Sequence, residues 1–239
     1  MMNIVGRVDL AASSGNTVWH RASALGKLLL MLTVLLIVVF ARALPLLVAL
    51  HLMAWTLALS SRLSPRVILT MLLYPLMFSG LFVLATWDAT WVTPVRLLLR
   101  PTTACLMAVW LVATTPYPDL FAPISRVLPG NVADGLFITY RALFELIART
   151  ERLMRALRLR GGVTGRLRRR LTASGESLGT LVLHSFGRSE RLYATMLLRG
   201  HSGRICGCRH YADVTRDDLW VAGCAVIAVG LVFVLGGRA

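Results

Sequence analysis

From Leu25 to Leu59 the chain is apolar almost without interruption, with Lys27, Arg42 and His51 as the ionisable residues of the whole stretch. A bilayer core accepts roughly 20 apolar residues per helix. One helix through the stretch would overshoot it, so Arg42 and Pro45 mark a turn between two membrane spans, Leu25 to Ala41 and Ala43 to Leu59. Lys27 lies near enough to the first end to snorkel to the surface. Inside lipid every backbone N–H and C=O must find a partner within the chain, which restricts such segments to helices or closed barrels. Seventeen-residue apolar runs are far longer than a barrel strand, so helices are expected. With 56% hydrophobic and only 15% charged residues and a mean hydropathy of +0.69, the chain is too apolar for a soluble domain. It reads as an all-α integral membrane protein.

Further spans follow the same logic. Ser60 to Arg66 is a short basic loop, placed on the cytoplasmic side, and Val67 to Trp87 is a third span with Pro75 and Gly80 as kink or packing points. Asp88 to Pro94, flanked by Trp87 and Trp91, has the look of an outer-interface turn, and Val95 to Thr115 crosses back. Arg96 and Arg100 are on the wrong side for simple charge counting; snorkelling outward and facing another helix are both open. Pro116, Pro118, Pro123 and Pro129 make a poor bilayer segment, which suits a short surface helix from Asp119 to Leu128. Leu219 to Leu235 returns through the membrane. The expectation is about five spans with the N-terminus inside, or six if 102–128 is broken differently. They divide the chain into a lead-in at 1–21, spans one to four at 22–115, a cytoplasmic region of two to three long helices at 116–215, and a last span at 216–239. The lead-in is mixed and polar with an interfacial anchor at Trp19-His20-Arg21 and no signal-peptide pattern, so the first span serves as the membrane address.

The net charge of +15 is concentrated in a block of arginines from Arg141 to Arg209, the natural cytoplasmic face. A run such as Arg166-Leu167-Arg168-Arg169-Arg170 suits anionic lipid or nucleic acid. No aromatic interleaving supports the second, so the bilayer is the expected partner and nucleic acid is not.

Within that block one unit occurs twice. Glu151-Arg152-Leu153 leads to Leu159-Arg160-Gly161, and Glu190-Arg191-Leu192 leads to Leu198-Arg199-Gly200 at the same offset. Repetition at a fixed period marks one structural unit used twice. Residues at helical spacing, apolar but for one serine (Leu136, Tyr140, Leu143, Ile147; Leu178, Val182, Ser185, Leu192), give helices over roughly 132–160 and 174–199, joined by a turn at 161–170. Pairs such as Arg141 with Glu145, Glu145 with Arg149 and Glu151 with Arg155 have the spacing that supports a helix from within. Gly161 and Gly200 stand where a helix needs a left-handed residue to stop. Arg160 and Arg199 could simply complement the negative helix ends. Two copies with a common leader favour a stronger reading: each arginine offers a planar fork of donors to a carboxylate on another protein.

Catalytic chemistry is sparse. His51 is the histidine in the interior of the spans and no carboxylate accompanies it, which favours a packing or hydrogen-bonding role. A membrane-bound hydrolase using His51 or the cluster from His201 to His210 is the alternative of a different class. That cluster includes Cys206 and Cys208, whose spacing is tighter than structural zinc sites use and which three arginines accompany, so no metal is assigned. The four cysteines form no disulfide framework. No phosphate-binding glycine loop is present, so ATP hydrolysis is not expected here.

The Leu-Arg-Gly pair, the run from Leu183 to Gly200, His20-Arg21 before Lys27-Leu28-Leu29, Thr114-Thr115, Leu128-Pro129 and Tyr140-Arg141 together resemble the transmembrane coupling (T) component of energy-coupling-factor (ECF) transporters, in its cobalt/nickel branch CbiQ. Thr195 between Ala194 and Met196, and His201 after the glycine, depart from that branch, so a T component for a vitamin such as biotin stays open. The resemblance implies a non-catalytic, multi-pass subunit of the inner (plasma) membrane without a cofactor of its own. It implies two ATP-binding cassette ATPase subunits as partners, which hydrolyse the ATP, and a membrane substrate-binding (S) subunit. Arg160 and Arg199, with Leu159, Gly161, Leu198 and Gly200, would dock into the ATPases. Glu151, Arg152, Glu190 and Arg191 would support the coupling helices.

Overall fold

The computed structural model describes residues 12–62, 64–86, 91–124, 128–162, 166–201 and 216–236. In these the chain forms helices α1 (Val18–Arg21), α2 (Ala24–Phe40), α3 (Leu44–Ser60), α4 (Pro65–Ala85), α5 (Val92–Thr114), α6 (Tyr117–Ile124), α7 (Gly130–Leu159), α8 (Leu167–Leu198) and α9 (Asp218–Leu235), and no strand among the described residues. The chain divides into two compact units, one of 1–123 with 209–239 and the other of 124–208.

The first unit is built around α5, which packs against α2, α3 and α4, while α9 lies along α2 and α3. Trp110, Leu106, Met107, Leu47, Leu50 and Val34 are fully buried where these helices meet. The periphery is as apolar as the centre: Leu73, Met77, Leu81 and Leu84 on α4 and Phe233 on α9 are exposed. Such an inside-and-outside apolar surface suits a lipid solvent. Helices α4, α5 and α9 are long and apolar enough to cross a membrane. Helices α2 and α3, at 17 residues each, are shorter. Pro45 sits in the first turn of α3, where its missing N–H costs nothing.

The proline and glycine of α4 have different surroundings. Pro75 cannot donate to the carbonyl of Met71, one turn back. Cys105 Sγ of α5 donates to that oxygen instead, at 3.7 Å, and Ser79 Oγ donates to the carbonyl of Pro75 at 2.6 Å. Among the described residues nothing packs on Gly80: a Cβ built there meets no atom within 4 Å.

The second unit holds the two long helices α7 and α8, of 30 and 32 residues, or roughly 45 to 48 Å each. Helix α8 starts at Leu167, well before the expected 174, so Arg168, Arg169 and Arg170 are helical and not part of a turn. Arginine, leucine, threonine and alanine are good or tolerable helix formers, and that propensity outweighs the unfavourable placement of cations at a helix N-terminus. Helix α8 has no buried residue. Val182, Leu183, Phe186 and Leu178 are all exposed, so the pair forms no core of its own. The expected pairs within α7 are replaced by others. Glu145 forms its ion pair with Arg188 of α8, and Arg155 Nε donates to the main-chain oxygen of Glu151 at 3.4 Å.

Candidate functional site: two arginine-tipped helix ends

Helices α7 and α8 end in the same structure. Arg160 and Arg199 are the last, half-helical residues, with φ −82°, ψ 3° and φ −90°, ψ 11°. Gly161 and Gly200 follow at φ 71° and 73°, the left-handed region where a Cβ would clash with the backbone. In α7 the amide of Gly161 donates to Arg158 O at 3.1 Å and that of Gly162 to Leu157 O at 2.9 Å. In α8 Gly200 donates to Leu197 O and His201 to Met196 O, both at 3.0 Å. These are two complete Schellman caps, register for register. The sequence repeat is therefore a repeat of geometry, and it sets each arginine at the point where the helix stops.

What surrounds the arginines defines what they can do. Both are exposed, and among the described residues neither guanidinium has a hydrogen-bond or ion-pair partner. Each is preceded by a leucine standing almost wholly in the open, Leu159 at 90% and Leu198 at 87% exposure. An apolar side chain next to an unengaged planar cation is suited to a pocket that is greasy at its wall and acidic at its floor. Glu151, Arg152, Glu190 and Arg191 lie a little over two turns back, all exposed.

The competing site at His51 is closed off by its neighbours. Trp55 Nε1, which can only donate, bonds His51 Nε2 at 3.0 Å. The ring proton is therefore on Nδ1, which lies 2.9 Å from Thr103 Oγ1. Thr103 in turn donates to Leu99 O at 2.6 Å. The partner threonine is 52 residues away in sequence, so no local pattern around His51 announces it. With both nitrogens engaged the imidazole is a structural bridge between α3 and α5. Of the other candidate cluster, His201 caps α8, while 202–210, including Cys206 and Cys208, lies outside the described residues.

Arg100, ambiguous in the sequence, faces another helix: its Nη2 donates to Ala41 O at 2.8 Å, capping the end of α2. Lys27 does not snorkel: it is 1% exposed. It donates to the carbonyls of Trp19 and Thr114, each at 3.0 Å. A charge with two fixed acceptors inside the bundle has no need to reach the surface.

A bundle of apolar helices together with a coreless, arginine-tipped helix pair defines an all-α integral membrane protein. The family described as the cobalt transport protein CbiQ matches residues 15–206. The chain belongs to that family, and is a membrane component of a transporter. No curated protein matches it.

Proposed function

We propose that the chain is the transmembrane coupling subunit of an ATP-driven uptake transporter of the ECF type, serving cobalt or nickel ions. The observation that carries this reading is the duplicate Schellman-capped helix end, with its exposed leucine and unengaged arginine. In this reading Arg160 and Arg199 enter acidic grooves on two ATP-binding cassette subunits, one each. Closure of the ATPase pair on ATP then draws α7 and α8 together, and the apolar bundle passes the movement to a membrane subunit that holds the ion. Coupling of this kind requires contacts that differ between the two states. The absence of buried residues along α8 supports it, since the helix keeps its apolar side chains for another molecule. The arginine block then faces the cytoplasm and the bundle lies in the plasma membrane.

The test is copurification of the tagged chain with coexpressed ATPase and substrate-binding subunits, together with ion uptake. Arg160→Ala or Arg199→Ala should remove about 2 to 5 kcal/mol of docking free energy if the carboxylate partner is buried. Arg→Lys restores only part of it, because the fork is lost. A double alanine variant with full complex yield and full uptake would overturn the reading.

A further inference from the structure

Arg42, Arg96 and Arg100 belong to the first unit and play no part in the docking scheme. All three lie toward one end of the bundle, Arg100 bonding the residue before Arg42 and Arg96 one turn from Arg100 on α5. Ser23 N donates to Asp218 Oδ1 at 2.6 Å, which fixes the starts of α2 and α9 side by side. The opposite ends also meet, where Ala41, Ala43 and Leu46 face Val232 and Gly236. At that second end Arg42 is exposed in the α2–α3 turn, and Arg100 is tied to Ala41 of the same turn. Arg96 lies one turn from Arg100 on the same face of α5. The Nε atoms of Arg96 and Arg100 are buried without a hydrogen-bond partner. Among the described residues no carboxylate belongs to this end.

The depth of the cluster follows from helix lengths. Arg100 is the ninth residue of α5, ~12 Å along the helix from Val92. Because its side chain reaches the α2–α3 turn, that turn is recessed below the end of α5. Helices α2 and α3, with 17 residues each, span ~25 Å against a hydrocarbon core of ~30 Å. A lipid headgroup drawn down into the recess would meet the three guanidiniums, and local thinning of this sort is how bilayers accommodate short spans and deep arginines. Beside the turn lies a groove of about 470 Å³, walled by Leu36, Ile37, Phe40, Leu46 and Val232 and edged by Arg42. It offers room for acyl chain next to a cationic rim.

We propose that this recess is a binding site for a phospholipid of net negative charge, its phosphate held by Arg42, Arg96 and Arg100 and an acyl chain lying in the adjoining groove. Charge complementarity selects the anionic headgroup, since three arginines without a described counter-charge are left half-neutralised by a zwitterion. The reading is independent of the ATPase docking and of which face of the membrane the recess opens to.

The experiment is native mass spectrometry of the full-length chain purified from mixed micelles holding equal amounts of phosphatidylglycerol and phosphatidylcholine with matched acyl chains. Enrichment of bound phosphatidylglycerol is expected, falling by roughly fivefold for each arginine removed. The variants are Arg42→Gln, Arg96→Gln and the pair. Arg42 makes no bond within the described chain, so its loss leaves the fold intact, and Arg62→Gln with Arg66→Gln in the α3–α4 turn is the control that keeps the preference. Bound lipid in the bulk ratio would overturn the proposal. So would a preference that survives Arg42→Gln with Arg96→Gln, or one that inorganic phosphate at millimolar concentration abolishes.

Discussion

Lys27 of α2 donates through Nζ to the main-chain oxygen of Thr114 at the end of α5, 3.0 Å away and across 87 residues of sequence. The last carbonyls of a helix have no intrahelical donor, and here a buried ammonium supplies one. Asp119 and Asp218 provide negative charge in its neighbourhood. The same end of the bundle gathers Trp19, whose ring meets that of Trp110 edge-on at 5.6 Å, and Ser23, whose amide binds Asp218. Lys27 thus joins α1, α2 and α5.

Replacing Lys27 by methionine keeps the volume and removes the donor. The Thr114 carbonyl is then buried and unsatisfied, which costs about 1 to 3 kcal/mol. The expected result is a lower unfolding temperature of the detergent-solubilised chain, with Lys27→Arg recovering part of the loss. An unchanged melting curve for Lys27→Met would show that the bond contributes nothing to stability.

The apolar helices were legible in the sequence to within a few residues, since hydropathy over a run such as Leu25 to Ala41 does not depend on what packs against it. Leu-Arg-Gly was legible for a similar reason: a glycine that must take φ 71° or 73° announces the helix stop locally. What escaped was decided at long range. Glu145 had arginines at helical spacing on both sides, yet its partner is on the next helix. Arg168 to Arg170 looked like a turn because charge and glycine cluster there, whereas the backbone follows propensity. His51 gained partners that only the meeting of α3 and α5 supplies.

His51 should therefore matter for stability and not for turnover. His51→Phe leaves the Trp55 indole N–H and the Thr103 hydroxyl without their partner, a loss of about 1 to 2 kcal/mol. Uptake per folded molecule stays at the wild-type level. Uptake that falls further than the amount of folded protein would assign the imidazole a direct role in transport.

The ion pair between Glu145 and Arg188 is half-exposed, at 35% and 42%, so its contribution is modest. A double-mutant cycle with Glu145→Gln and Arg188→Gln should give a coupling of about 0.2 to 1 kcal/mol, shrinking as salt is raised. Because the pair joins α7 to α8, its loss should also loosen the geometry between them. Spin labels on the two helices would report a broader distance distribution in the double variant, and an unchanged one would mean that the apolar contacts alone set the crossing.

The sharpest separation of shape from charge lies in the caps. Gly200→Ala meets no atom within 4 Å, so its cost is the left-handed backbone alone, about 1 to 2 kcal/mol. The arginine, the leucine and every charge of α8 remain. If docking needs Arg199 at the point where the helix stops, Gly200→Ala should lengthen or fray α8 and reduce copurification of the ATPase subunits, although the net charge is unchanged. Gly161→Ala should do the same for α7. Binding governed by positive charge in general would leave both glycine variants at full yield, while sensitivity to the glycines at constant charge ties the interaction to where the helix end holds the guanidinium. Copurified ATPase measured at two salt concentrations distinguishes the cases: the glycine variants should fall below wild type at both.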